Sequence, residues 1–305
     1  MAPPSITSAA ASTLPRPIPE KPSFAFIAPA LFLGASLAVY THLGSGLAMP
    51  GITAIRFLCL GVTLFAAGFV SGLAGFAFSA VGALILLLIE PRLAVPLLQG
   101  LSTVNQFASI SKLREEMPRT LEQWWPNGPG PAILGGFLGV PVGVWILNQL
   151  PAITLTLIIG VLITTYALFS FFKPDRVVLR GCDGALSGIL VGAMGGALGG
   201  FTAFPGMTVV VWTALRDTPK SVTRSIVQPF VVALQIFALV TNGMLHPAVF
   251  SMRYWLLFAL LVPIVLPGTM TGVTIYRSMS DRDFKRFCLL LLVLSGVGLI
   301  AKALL

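Results

Sequence analysis

The sequence predicts an all-α integral membrane protein of about ten or eleven hydrophobic helical elements, and three observations predict it. First, 56% of the 305 residues are hydrophobic and only 10% are charged, whereas a soluble domain of ordinary composition carries about 25% charged residues. Second, no Asp, Glu, Lys or Arg occurs in residues 22–55, 57–89, 93–111, 123–172, 184–215, 225–252, 254–276 or 287–301. Most of these windows hold a bilayer-spanning helix of about 20 residues. Third, the runs are solidly apolar and lack the alternation of a barrel strand, so the backbone must satisfy itself as helix.

Taken in order, residues 1–23 are rich in Ala, Ser, Thr and Pro and read as a disordered tail, with a cleaved signal or targeting segment as the alternative. Residues 24–50 carry an extra transmembrane helix, expected at 24–45. A first transmembrane repeat over 53–172 holds elements at 53–74, 77–90, 94–111, 129–149 and 151–172. A second repeat over 181–304 holds elements at 182–199, 203–215, 221–244, 253–276 and 283–304. Two of the eleven elements, 77–90 and 203–215, are short, and whether they cross or re-enter is left open.

If every element crosses, Arg56, Arg92, Arg253 and Lys302 fall on one side and the other fifteen of the nineteen basic residues on the opposite side. The positive-inside bias then places the N-terminus in the cytoplasm, in a cell inner membrane. The net charge of +9 is thereby explained by loops flanking spans, with no basic patch for nucleic acid. Trp124 and Trp125 precede a span and suit an interfacial aromatic belt.

The repeat is visible in the residues themselves. Gly68-Phe69-Val70-Ser71-Gly72-Leu73-Ala74-Gly75-Phe76 is echoed by Gly192-Ala193-Met194-Gly195-Gly196-Ala197-Leu198-Gly199-Gly200-Phe201. Each run enters a short apolar element that ends in a Pro-basic turn, at Pro91-Arg92 and Pro219-Lys220. A polar-spotted helix follows, with Gln99, Ser102, Thr103, Asn105 and Gln106 in one half and Ser221, Thr223, Ser225 and Gln228 in the other. Because each half has an odd number of elements, full crossing would turn the second half upside down. Inverted repeats of this kind place substrate near the midplane at their interface.

On these residues the chain resembles the TauE/SafE family of membrane transporters, over roughly 53–304. The resemblance implies transport of sulfite or an organosulfonate; another small organic acid or anion is the alternative cargo.

The candidate site is drawn around the two expected breaks, at 72–82 and 199–206. Gly75, Phe76 and Ser79 lie at the first, and Gly200, Thr202, Phe204 and Gly206 at the second. Broken helices free backbone N–H groups and can aim a helix N-terminus at an anion. The bland reading is that Gly188, Gly192, Gly196 and Gly200 form a helix-packing ridge, and that the aromatics are packing residues. Gln99, Ser102 and Gln106 share a helical face, as do Ser221, Ser225 and Gln228, and buried amides need either partners or a cavity. Arg224, one turn before Gln228, is read as a topology marker or as a charge-assisted anion contact.

Several function classes fall away. No carboxylate lies inside a predicted span, and His42 and His246 sit near span ends, so no metal cluster or cofactor site is expected. No nucleophile elbow and no Walker-type loop occurs, which argues against an enzyme and against ATP-driven transport by this chain alone. The expected partners are a small anionic solute and the lipid bilayer, with homo-oligomerisation left open. A structural or accessory membrane subunit is the competing class.

Overall fold

A computed structural model of the chain describes residues 34–36, 38, 41, 52–112, 114–172, 184–216, 218, 220–276 and 281–304. The expected tail lies outside these, as does most of the expected helix at 24–45, of which residues 34–36, 38 and 41 are helical. The described chain folds into helices α1 Ala54–Ala74, α2 Phe78–Gly82 with a 3₁₀ continuation Ala83–Leu87, α3 Pro91–Lys112, the short α4 Leu121–Trp124, α5 Pro129–Gln149, α6 Ala152–Phe172, α7 Ala185–Thr202, α8 Gly206–Leu215, α9 Lys220–Leu245, α10 Met252–Tyr276 and α11 Asp281–Leu304. Among the described residues, six helices are long and apolar enough to cross a bilayer.

The outward faces are apolar. Leu134, Leu138 and Trp145 on α5 and Leu186, Leu190 and Met194 on α7 are each more than half exposed. In water such continuous patches would drive association, whereas against lipid they are the expected surface.

The element ends follow local chemistry. The Thr53 side chain caps α1 by accepting from the Arg56 N–H at 3.3 Å. At its other end Gly75 adopts φ 85°, a left-handed conformation that suits glycine, and its N–H closes onto the Ser71 carbonyl. The second break lies within the expected 199–206, but not at Gly199 or Gly200. Gly199 and Gly200 stay helical, α7 runs on to Thr202, and the chain turns at Ala203, a non-glycine residue at φ 60°. Pro205 then lacks the N–H that would continue the helix. Gly72 is likewise no break, lying inside α1, and at Gly82 the α2 helix passes into its 3₁₀ continuation, against Leu98 and Leu64.

Glycines determine which helices meet. A Cβ on Gly192 or Gly196 would overlap the carbonyl oxygen of Ala132 or Gly136, and one on Gly139 or Gly143 would overlap that of Ala193 or Ala197. So α5 and α7 run parallel in backbone contact, the approach that small residues permit in membranes. Gly68 and Gly72 bring α1 against Val265 and Thr269 of α10 in the same way, again parallel. The α6–α11 contact is antiparallel, with Gly160 against Leu299 and Ile300, and Gly296 against Thr164.

From the near end, where α1 begins, the chain descends to Gly75 and α2 returns, since Gly82 lies beside Leu64 and Ala67. Arg92 on α3 donates to the Asn148 carbonyl at 2.9 Å, so α3 begins where α5 ends. The Gly184 N–H donates to Asn127 Oδ1 at 2.9 Å, so α7 starts from the far end, and α8 folds back along it with Thr208 Oγ1 on the Val191 carbonyl at 3.1 Å. The ten residues from Phe78 to Leu87 rise about 17 Å, and α8 about 15 Å, too short for a core of about 30 Å. Each is the return arm of a hairpin, and the side on which α3 and α9 begin is the same whether the pair crosses or re-enters.

Candidate substrate site

The two hairpin tips meet. A Cβ on Gly206, the first residue of α8, would sit 3.7 Å from Cβ of Phe76 in the first break. The two breaks thus share one layer, and helices α3 and α9 pack against both.

The first break is held from both α3 and α9. Gln106 on α3 donates through Nε2 to the Gly75 carbonyl at 3.0 Å. Arg224 on α9 donates through Nη2 to the Gly72 and Leu73 carbonyls at 3.1 and 3.2 Å. These carbonyls are the negative end of α1, where a cation is favoured. Arg224 is only 5% exposed, and its Nε lies 2.6 Å from where a Gly75 Cβ would stand, so the site needs glycine for space as well as for φ. A simple topology marker would be solvated. Arg224 is buried.

The second break is held in the same manner by neutral groups. Gln99 on α3 donates to the Gly199 and Gly200 carbonyls at 3.2 and 3.3 Å, and Gln235 on α9 donates to the Ala203 carbonyl at 2.7 Å. Because a carbonyl can only accept, these contacts orient the amides and leave the Oε1 atoms pointing elsewhere. The Oε1 atoms of Gln99, Gln106, Gln228 and Gln235 are buried and have no hydrogen-bond partner among the described residues. Each such acceptor costs about 1–3 kcal/mol. Four in one layer require a reason.

Asn105 supplies the contrast. It donates to Ser71 Oγ at 2.7 Å and accepts from Thr269 Oγ1 at 2.6 Å, fastening α3 to α1 and α10 with both ends of its amide used. That is a structural clamp. Asn105→Leu is therefore expected to lower the melting temperature of the purified protein while leaving ligand affinity of the surviving folded fraction intact; unchanged melting would remove the clamp.

The remaining expected residues divide. Gln228 donates to Ser109 Oγ at 3.0 Å, one turn beyond Gln106. Ser79 and Ser102 are buried at the start of α2 and between Gln99 and Gln106. Thr202 donates to the Leu198 carbonyl and accepts from the Phe204 N–H, shaping the second turn. Phe204 packs edge-on against Tyr166, centroids 5.5 Å apart. Gly200 faces α5 rather than the layer, since a Cβ there would meet the Val140 carbonyl at 2.7 Å; its contribution is its own carbonyl. Ser225 is spent on the Val222 carbonyl at 2.8 Å, and the Ser221 side chain lies outside the described residues.

Gln235 and Ser109 were missed from the sequence, yet Gln235 had a signal. A shift of 129 residues superposes Gln99 and Gln106 on Gln228 and Gln235. Seven residues of helix are about 10 Å, and each pair straddles the middle of its helix.

Apolar outer faces, hairpins with meeting tips and a buried polar layer define a multi-pass α-helical membrane transport protein. The chain belongs to the TauE/SafE family: the family model described as Sulfite exporter TauE/SafE matches residues 60–299. That family comprises membrane transporters of sulfur anions. No match was found among curated proteins or among solved structures.

Proposed function

We propose that the chain is a secondary transporter that moves a small anion, sulfite or an organosulfonate, by alternating access between two inverted repeats, and that it is not an enzyme. The observation that carries the reading is Arg224: a cation from the second repeat, buried at the broken helix of the first. An anion held in this layer would meet Arg224 together with the N-termini of α2 and α8, all three favouring negative charge. Gly75, Phe76, Ser79, Gln106, Gly206 and Gln228 would line the Arg224 side of the layer, and Gln99, Ser102, Gly200, Thr202 and Phe204 the opposite side.

Inversion is supported by helix directions. If every element of residues 181–304 runs opposite to its counterpart in 53–172, α1 must lie parallel to α10 and α5 to α7, while α3–α9 and α6–α11 must be antiparallel. The α1–α10, α5–α7 and α6–α11 directions are those described above, and α3 and α9 run antiparallel because Gln106 and Arg224 hold one break while Gln99 and Gln235 hold the other. Each break is held by one side chain from either repeat, so rocking one repeat against the other would remake both holds together. The far end, with Lys112, Arg114, Arg119 and Arg216, would be cytoplasmic, in a cell inner membrane.

The test is uptake of labelled sulfite, sulfate and small sulfonates by proteoliposomes holding the purified chain, under imposed ion and voltage gradients. Saturable flux with counterflow of a sulfur anion is the expected result. No flux of any of them, from protein shown to be folded, would sink the reading and favour an accessory subunit.

A further inference from the structure

The two breaks are related by the repeat, but their charge is not. At α1 the terminal carbonyls are neutralised by Arg224. At α7 the corresponding holds are two neutral amides, Gln99 and Gln235, and the register that aligns the glutamines places Val95, a buried apolar residue, where α9 has Arg224. The α7 end also carries open acceptors. Pro205 occupies the position whose N–H would have closed onto the Phe201 carbonyl, and the Phe204 N–H is taken by Thr202 Oγ1. Gln99 and Gln235, no more than 1% exposed and anchored through Nε2 to carbonyls within one turn of it, add two buried Oε1 atoms with no hydrogen-bond partner among the described residues. A helix C-terminus carries partial negative charge, and in a low-dielectric layer that charge is scarcely screened.

We propose that the C-terminal turn of α7 is a monovalent cation site, taking Na⁺ through Gln99 Oε1, Gln235 Oε1 and the Phe201 carbonyl. The bound ion does at α7 what the Arg224 guanidinium does at α1. Neutral oxygens suit a single charge, and among the described residues no group of His, Cys, Asp or Glu is placed to hold a metal ion of higher charge. Broken-helix C-termini coordinating Na⁺ beside an anion site is a general solution in secondary transporters. As a coupling site it rests on the transporter reading above; as a binding site it does not.

The experiment is equilibrium binding of radioactive sodium to the purified full-length chain, with ionic strength held by choline chloride and no sulfur anion present. The expected result is saturable, stoichiometric binding, together with a melting temperature higher in sodium than in choline. Gln235→Met should weaken sodium binding by about tenfold or more, since even outer-shell groups cost that much in metal affinity. Asn148→Ala, whose side chain only bonds the Val144 carbonyl of its own helix, should leave it unchanged. Absence of saturable sodium binding to folded wild-type protein overturns the site, as does unchanged binding in folded Gln99→Met and Gln235→Met variants. Sodium binding without anion flux would keep the site and sink the transporter reading; anion flux without sodium binding would do the reverse.

Discussion

Arg224→Met is expected to reduce anion flux at subsaturating substrate by about 100-fold or more. An ion pair at about 4 Å is worth roughly 4 kcal/mol at an effective dielectric of 20, nearly three decades in binding. Against that, the substitution also leaves the Gly72 and Leu73 carbonyls without their charge-assisted donor, at about 1–3 kcal/mol each. Flux and stability must therefore be read separately, by uptake in proteoliposomes and by melting of the same preparation. Arg224→Lys keeps the charge but loses the planar fork, so partial recovery of flux is expected. Wild-type flux in folded Arg224→Met protein would remove Arg224 from the anion site.

The second large effect is on folding. Gly196→Ala is expected to destabilise the protein by about 3 kcal/mol or more, the upper range for overpacking, because its new methyl would overlap the Gly136 carbonyl of the parallel helix. Backbone cannot move aside as a flexible side chain can, so α5 and α7 must separate along their length. Gly243→Ala is the internal control, since the nearest atom to its Cβ would be a Phe250 ring carbon at 3.5 Å, an ordinary contact. There the same chemical change should stabilise by about 0.5–1 kcal/mol through helix propensity. Similar melting of the two variants would mean that the glycine ridge does not set the α5–α7 distance.

Much of the fold was legible because apolar length is a one-dimensional property. The ten spans and short elements expected from residue 53 onward all begin and end within a few residues of where charge or proline placed them. The second break fell inside its expected window, 199–206, yet Gly199 and Gly200 do not make it, for a physical reason: glycines in a membrane helix signal either a break or close packing, and the residue string is the same for both. Gly192, Gly196 and Gly200 pack, while Ala203, carrying no sequence mark of left-handed backbone, makes the turn.

The polar layer was half legible. Gln99, Gln106 and Gln228 stood out because amides in a span need a reason to be there. Which of the polar residues are structural could not be separated by type, since Asn105 is satisfied at both ends and Gln99 at one.

By itself, then, the sequence determined the solvent of this protein and the place and length of its long helical elements from Ala54 onward, because each follows from composition along the chain. Only the tertiary structure decided that Arg224 is buried at a break made by residues some 150 positions earlier, and that the two breaks meet and carry different holds. Those facts depend on how closely helix backbones approach, which is governed by pairwise contact between distant glycines and not by any local property of the chain.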